Sequence, residues 1–132
     1  MPIAHRIDSV RRIVFARGHG VVTDADAFGY QREVWSRTET EGFDEVVDMT
    51  EIEEIVFPSA ERVDQLARFS AGCDAPGATA KLAIVAPADM AYGLGRMYQA
   101  YREMAADTKE VGVFRSMSDA LQWIEAEGLP ST

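Results

Sequence analysis

The sequence predicts an α/β fold: a mostly parallel sheet of about five strands with an antiparallel N-terminal edge strand and four helices. Three observations carry this. After an opening pair of strands, strand-like and helix-like segments alternate in the order β-β-α-β-α-β-α-β-α, which calls for right-handed crossovers. The run Lys81-Leu82-Ala83-Ile84-Val85-Ala86 is continuous enough to be buried on both faces and is placed at the centre of the sheet. The chain has 132 residues, 47% hydrophobic and 27% charged, which fits one domain over residues 1–132 with a sizeable core and no need of a disulfide or metal.

Each element has a local reason. Ile3 to Asp8 and Arg11 to Arg17, separated by Ser9 and Val10, read as a β-hairpin. Gly18-His19-Gly20 is expected to break the second strand, and Val21-Val22 to lead into a helix. Thr23 and Asp26 are spaced as a near-capping box, with the acidic residues at the positive end of a helix that runs to about Arg37. Phe43 to Met49 is a strand that Asp48-Met49-Thr50 closes, and a charged link, Glu51 to Glu54, passes into Ile55-Val56-Phe57. Pro58-Ser59 opens a second helix whose Val63, Leu66, Ala67 and Ser70 share one face, and Asp74-Ala75-Pro76-Gly77 ends it. Pro87 stops the central strand, and a third helix covers about Ala88 to Ala105. Lys109 to Arg115 is the last strand. Ser116 and Asp119 form another near-capping box, and Gly128 then Pro130 terminate the final helix.

Charge and composition exclude several functions. Net charge is −9, concentrated at residues 38–75. Such an acidic chain, with a pI near 4.6, lacks the basic footprint that nucleic acid requires. The carboxylates from Glu39 to Glu54 match no EF-hand loop and read as a solvated loop and strand end, the alternative being a hard-cation site. No stretch approaches the ~20 apolar residues of a transmembrane helix. The run MPIAHRIDSVRR lacks the apolar core of a signal peptide. The single cysteine, Cys73, suits a reducing cytoplasm, so a cytoplasmic location is expected.

Catalytic and cofactor signatures are weak. With only His5 and His19, on different elements, a histidine-rich zinc site is excluded. There is no Gly-x-Ser-x-Gly elbow. Cys73 sits near a helix C-terminus, which disfavours its thiolate. Gly93-Leu94-Gly95 lacks the third glycine and the position of a dinucleotide fingerprint. A non-catalytic protein without a cofactor is expected.

Several words, taken jointly and in order, resemble the SpoIIAA-like family, the small bacterial STAS/Sec14-type domains, over nearly the whole chain. They are Gly20-Val21-Val22-Thr23-Asp24, Val46-Val47-Asp48-Met49-Thr50, Lys81 to Pro87, Val111-Gly112-Val113-Phe114-Arg115 and Asp119 to Ile124. The resemblance implies a fold related to anti-sigma-factor antagonists and to the lipid-binding lobe of Sec14 (CRAL-TRIO-like) proteins. In the antagonists a serine opening a helix is phosphorylated. Here Pro58-Ser59-Ala60 occupies that region, with Pro58 in place of the Asp and Ala60 in place of the Gly, so Ser59 is either a switch or a plain helix cap, and Thr50 is the second candidate.

In the third helix Met90, Leu94, Met97, Tyr98, Tyr101 and Met104 recur at spacings of three or four, and Gly93 and Gly95 interrupt it. Such a stripe is either core or the wall of an adaptable apolar pocket. The leading expectation is a domain that binds an apolar small molecule or lipid, with peripheral membrane association. Its wall is formed by Val63, Leu66, Ala67, Met90, Leu94, Met97, Tyr98 and Tyr101. The second expectation is a protein-interaction module of the anti-sigma-antagonist type, controlled at Ser59 or Thr50, with a protein partner and a monomeric or homodimeric state.

Overall fold

The computed structural model describes residues 2–74, 79–106 and 108–126. Five strands form one sheet in the spatial order β1-β2-β3-β4-β5: β1 (Ile3–Asp8), β2 (Ile13–Thr23), β3 (Asp44–Val56), β4 (Ala80–Val85) and β5 (Lys109–Phe114). β1 pairs antiparallel with β2, and every other neighbouring pair is parallel. The helices are α1 (Asp24–Tyr30), α2 (Ala60–Gly72), α3 (Asp89–Ala105) and α4 (Met117–Glu125). The predicted strand count, the antiparallel edge and the four helices are all present. β3 takes the middle place, with β4 interior beside it, so Lys81–Ala86 is one strand off the centre.

The caps that begin the helices are those the sequence signals. Thr23 Oγ1 accepts from Asp26 N at 3.2 Å while Asp26 Oδ2 accepts from Thr23 N at 2.9 Å, a reciprocal capping box. Ser59 Oγ accepts from Arg62 N, and Ser116 Oγ accepts from Asp119 N. The turns expected at 75–77 and at 128–130 lie outside the described residues.

Alternation along the strands divides the core. On one face Ile13, Val46, Ala83 and Val85 meet Ala120 and Ile124 of α4. On the other, Leu82, Ile84 and Val111 pack against α3. Gly95 lets the α3 backbone settle there. A Cβ at this position would stand 3.1 Å from Val113 Cγ1 and 3.4 Å from Ile84 Cγ2.

Three expectations are corrected. β2 runs on through Gly18-His19-Gly20 to Thr23, because parallel pairing with β3 holds its backbone across the glycines. β3 does not close at Thr50: Glu51 to Glu54 belong to the same strand, which reaches Val56. The first helix stops being α-helical at Tyr30. A π-helical turn, Gln31–Trp35, turns Gln31, Val34 and Trp35 into the interior, and a short 3₁₀ turn follows at Thr38–Thr40.

The long β2–β3 ribbon carries two irregularities. Arg17 pairs with Asp48 but His19 with Glu51, and Gly20 pairs with Ile52 but Val21 with Glu54. At each step β3 advances one residue more than β2, which is a β-bulge on β3. Bulges change the side-chain phase of a strand. Glu45, Val47 and Met49, spaced by two, are therefore followed on the same side by Ile52 and Ile55, spaced by three.

The two α3 glycines give opposing expectations. Gly93 has open space at its Cβ position, so Gly93→Ala should gain about 0.5–1 kcal/mol from helix propensity. Gly95→Ala must push against Val113 and Ile84, and overpacking of about 1–3 kcal/mol outweighs the same gain. Urea midpoints should rise for the first variant and fall for the second.

Candidate functional site

α2 approaches α1 and α3 more closely than it approaches the strands. The space left beneath it is a cavity of about 130 Å³. Its roof is Val63 and Leu66 of α2 with Leu94 of α3, and its floor is Val47, Leu82 and Ile84 of the sheet. Ile52, Ile55 and Phe57, brought round by the bulges, close the end served by the C-terminal half of β3. Gly18 leaves room for Ile52 there: a Cβ would fall 2.7 Å from Ile52 Cδ1, and the isoleucine side chain would have to shift.

The wall carries four polar side chains, Tyr30, Gln31, Glu45 and Tyr98. Glu45 is buried at the start of β3, 1% exposed. Its Oε2 accepts from the Tyr30 hydroxyl at 2.7 Å and from Trp35 Nε1 at 3.1 Å, and its Oε1 accepts from Lys109 Nζ at 3.2 Å. Lys109 lies 3.8 Å from the centre of the Trp35 ring, so its charge meets a carboxylate and an aromatic face together. Burial, and then the neighbouring Glu45 charge, hold the Tyr30 hydroxyl well above the usual tyrosine range. Tyr98 is pushed up to about 12, chiefly by burial. Both phenols therefore stay neutral donors at physiological pH. Gln31 is 6% exposed, and its Oε1 has no hydrogen-bond partner among the described residues.

A second polar cluster ties the C-terminal part of α2 to α3. Arg102, fully buried, donates to both oxygens of Asp74 and, through Nε, to Ser70 Oγ at 3.3 Å. Thr108 donates its hydroxyl to the same Asp74.

The structure sorts the predicted pocket residues. Val63, Leu66, Leu94 and Tyr98 come together in the wall. Ala67 is fully buried but is not part of it, and Tyr101 lies outside it. Met90 and Met97 are corrected: they are 71% and 38% exposed, on the outer side of α3, and Met104 joins them there at 82%. A spacing of three and four is compatible with one stripe, but 90, 97 and 104 lie seven apart and form their own line one side away from 94 and 98. Tyr30, Gln31, Glu45 and Lys109 were missed. The signal available was a lone Glu45 beside apolar Phe43 and Val46, but it stood within an acidic segment read as solvated.

The remaining candidates are placed as follows. Ser59 is exposed at the N-cap of α2, its hydroxyl engaged as the cap acceptor. Thr50 is exposed within β3 and donates its hydroxyl to Asp48 Oδ1 at 2.6 Å. Burial and then the Asp74 charge push the Cys73 thiol up, away from thiolate chemistry. Among the described residues no three His, Cys, Asp or Glu side chains converge as a metal would need, and no helix is long and apolar enough to cross a membrane.

Two expectations follow from the buried charges and phenols. Lys109→Met leaves Glu45 buried without its cation and should lose about 3–5 kcal/mol, while Glu45→Leu combined with Lys109→Met should lose less than Lys109→Met alone, as urea denaturation will read. As pH rises from about 10 to about 12, the unfolded chain releases a tyrosine proton that folded Tyr98 retains. The unfolded state then binds fewer protons, so stability is full below pH 10 and declines across this window, at about 1.4 kcal/mol per pH step for one group. Tyr98→Phe should flatten that decline in unfolding curves recorded from pH 8 upward.

No protein-family model matches this chain, and no curated protein matches it. Among solved structures it is similar to an uncharacterized protein of the DUF3478 family from Shewanella loihica PV-4, described as having a SpoIIAA-like fold. That likeness covers 92% of this chain and 93% of the other, at 17% sequence identity and a TM-score of 0.60. With the five-stranded sheet and its antiparallel edge already in place, the chain has a SpoIIAA-like fold.

Proposed function

We propose that this protein is a non-catalytic binding domain for a compact apolar molecule held between the sheet and helices α1–α3. One observation supports this reading above the others: a cavity of about 130 Å³ lies between the sheet and the helical layer and is walled mainly by aliphatic and aromatic side chains. Ligand sites are concave, mostly apolar and fitted with a few polar groups, and Tyr30, Gln31, Glu45 and Tyr98 are of that kind. The volume is close to that of a ~150 Å³ apolar cavity able to hold benzene, so a ring-sized occupant fits better than a full acyl chain. The regulatory alternative at Ser59 has thinner support, since that hydroxyl already performs the work of an ordinary helix cap.

Toluene is a direct probe. Added to the wild-type protein, it should shift the methyl NMR signals of Val63, Leu66 and Ile84 and raise Tm with concentration. Val63→Phe projects a larger side chain into the same space and should weaken toluene binding at least tenfold, at an overpacking cost of no more than about 1–3 kcal/mol. Wild-type methyl signals that stay unmoved at saturating toluene would remove the binding reading.

A further inference from the structure

We infer that the cavity takes an uncharged, ring-sized alcohol, a phenol in chemical class, and that Gln31 is the residue that binds its hydroxyl. The inference rests on the cavity being a ligand site and adds what that ligand must carry. Every oxygen of Glu45 is already engaged, Oε2 by Tyr30 and Trp35 and Oε1 by Lys109. The amide of Gln31 is different. It is 6% exposed, it belongs to the cavity wall, and its oxygen is buried without a partner among the described residues. A buried acceptor left unpaired is destabilising, and a turn of the amide toward the cavity would let a ligand hydroxyl supply the missing donor. A hydroxyl both donates and accepts, so it suits whichever end the amide turns to it.

Local structure supports the same assignment. Gln31 opens the π-helical turn, and such turns, uncommon in themselves, recur at functional sites because they redirect a side chain. Here the turn carries Gln31, Val34 and Trp35 inward. Charge then narrows the ligand. An anionic group in this wall would lose its hydration in apolar surroundings, and Lys109, the cation behind Glu45, is already paired with that carboxylate. A carboxylate or phosphate head is therefore disfavoured, and a neutral one is favoured. Size narrows it further, from a chain to a ring.

Toluene, phenol and benzoate have nearly one shape and differ in the relevant group. Water holds phenol better than toluene, so a purely apolar cavity binds toluene more tightly. Titrations followed by methyl NMR should show phenol at least tenfold tighter than toluene on the wild type, and benzoate without effect. Gln31→Leu should bring phenol and toluene within twofold of each other. Toluene equal to or tighter than phenol on the wild type overturns the hydroxyl assignment and leaves the apolar site intact. Benzoate as the tightest of the three overturns the uncharged assignment. Failure of all three removes the binding site itself. If Gln31→Leu does not fold, the wild-type ranking still decides between phenol and toluene.

Discussion

Glu45 is a carboxylate buried in the sheet face, and much of the surrounding packing exists to keep it satisfied. An isolated buried carboxylate is far too costly for a domain of this size, because its hydration is lost and little replaces it. Here three partners converge from separate parts of the chain: Tyr30 from the end of α1, Trp35 from the π-helical turn and Lys109 from the start of β5. The requirement explains the irregular path after α1. A regular α-helix continued to Arg37 is replaced by a turn that lodges Trp35 beside Glu45 and sends Gln31 to the cavity wall. The same ion pair joins β3 to β5 across the intervening β4.

The other end of the cavity depends on backbone phase rather than charge. Without the two bulges, a strand of strict period two would carry Glu45, Val47, Met49, Glu51 and Glu53 on one side. The added residues exchange that sequence for Ile52 and Ile55, so the acidic side chains are exposed and the isoleucines face inward. Beyond Asp48, β3 has no strand on its β4 side, and Glu51, Glu53 and Glu54 place charge along that part of the strand. Charge on an unpaired edge discourages pairing with another chain.

Most of the fold was legible because its determinants are local. Thr23, Ser59 and Ser116 announce helix starts, Leu82 to Val85 announce a strand buried on both faces, and the alternation of elements leads to a parallel sheet. The bulged ribbon was not legible. Gly18, Gly20 and the acidic run Glu51 to Glu54 look like punctuation, and only pairing between β2 and β3 makes them strand. The site was half legible for a similar reason. Val63, Leu66, Leu94 and Tyr98 follow from helical periodicity, but Met90 and Met97 share that periodicity loosely and face outward. Gln31 and Glu45 are identified only by what surrounds them in space, and Lys109 is 64 residues from the carboxylate it neutralises.

The cavity persists because α2 is held sideways, by α1 and α3, more than by the sheet beneath it. Near the N-terminal end Arg62 pairs with Asp24 at 2.6 Å and lies 4.0 Å over the Phe28 ring, and further along α2 Phe69 stacks on the same Phe28 at 5.7 Å. At the C-terminal end Arg102 holds Ser70 and Asp74. These contacts bind the helix to α1 and α3, so it does not need to sink onto the sheet to be stable. Beneath it the wall includes short side chains, Ala16 from β2 and Ala27 from α1, where longer ones would enter the space. Apolar surface left uncovered in this recess forgoes about 25 cal/mol per Å² of burial. Longer side chains at Ala16 or Ala27 offer a simple route to recover it. A recess held open in this way, beside a buried amide oxygen without a partner among the described residues, is the geometry on which the proposed binding rests.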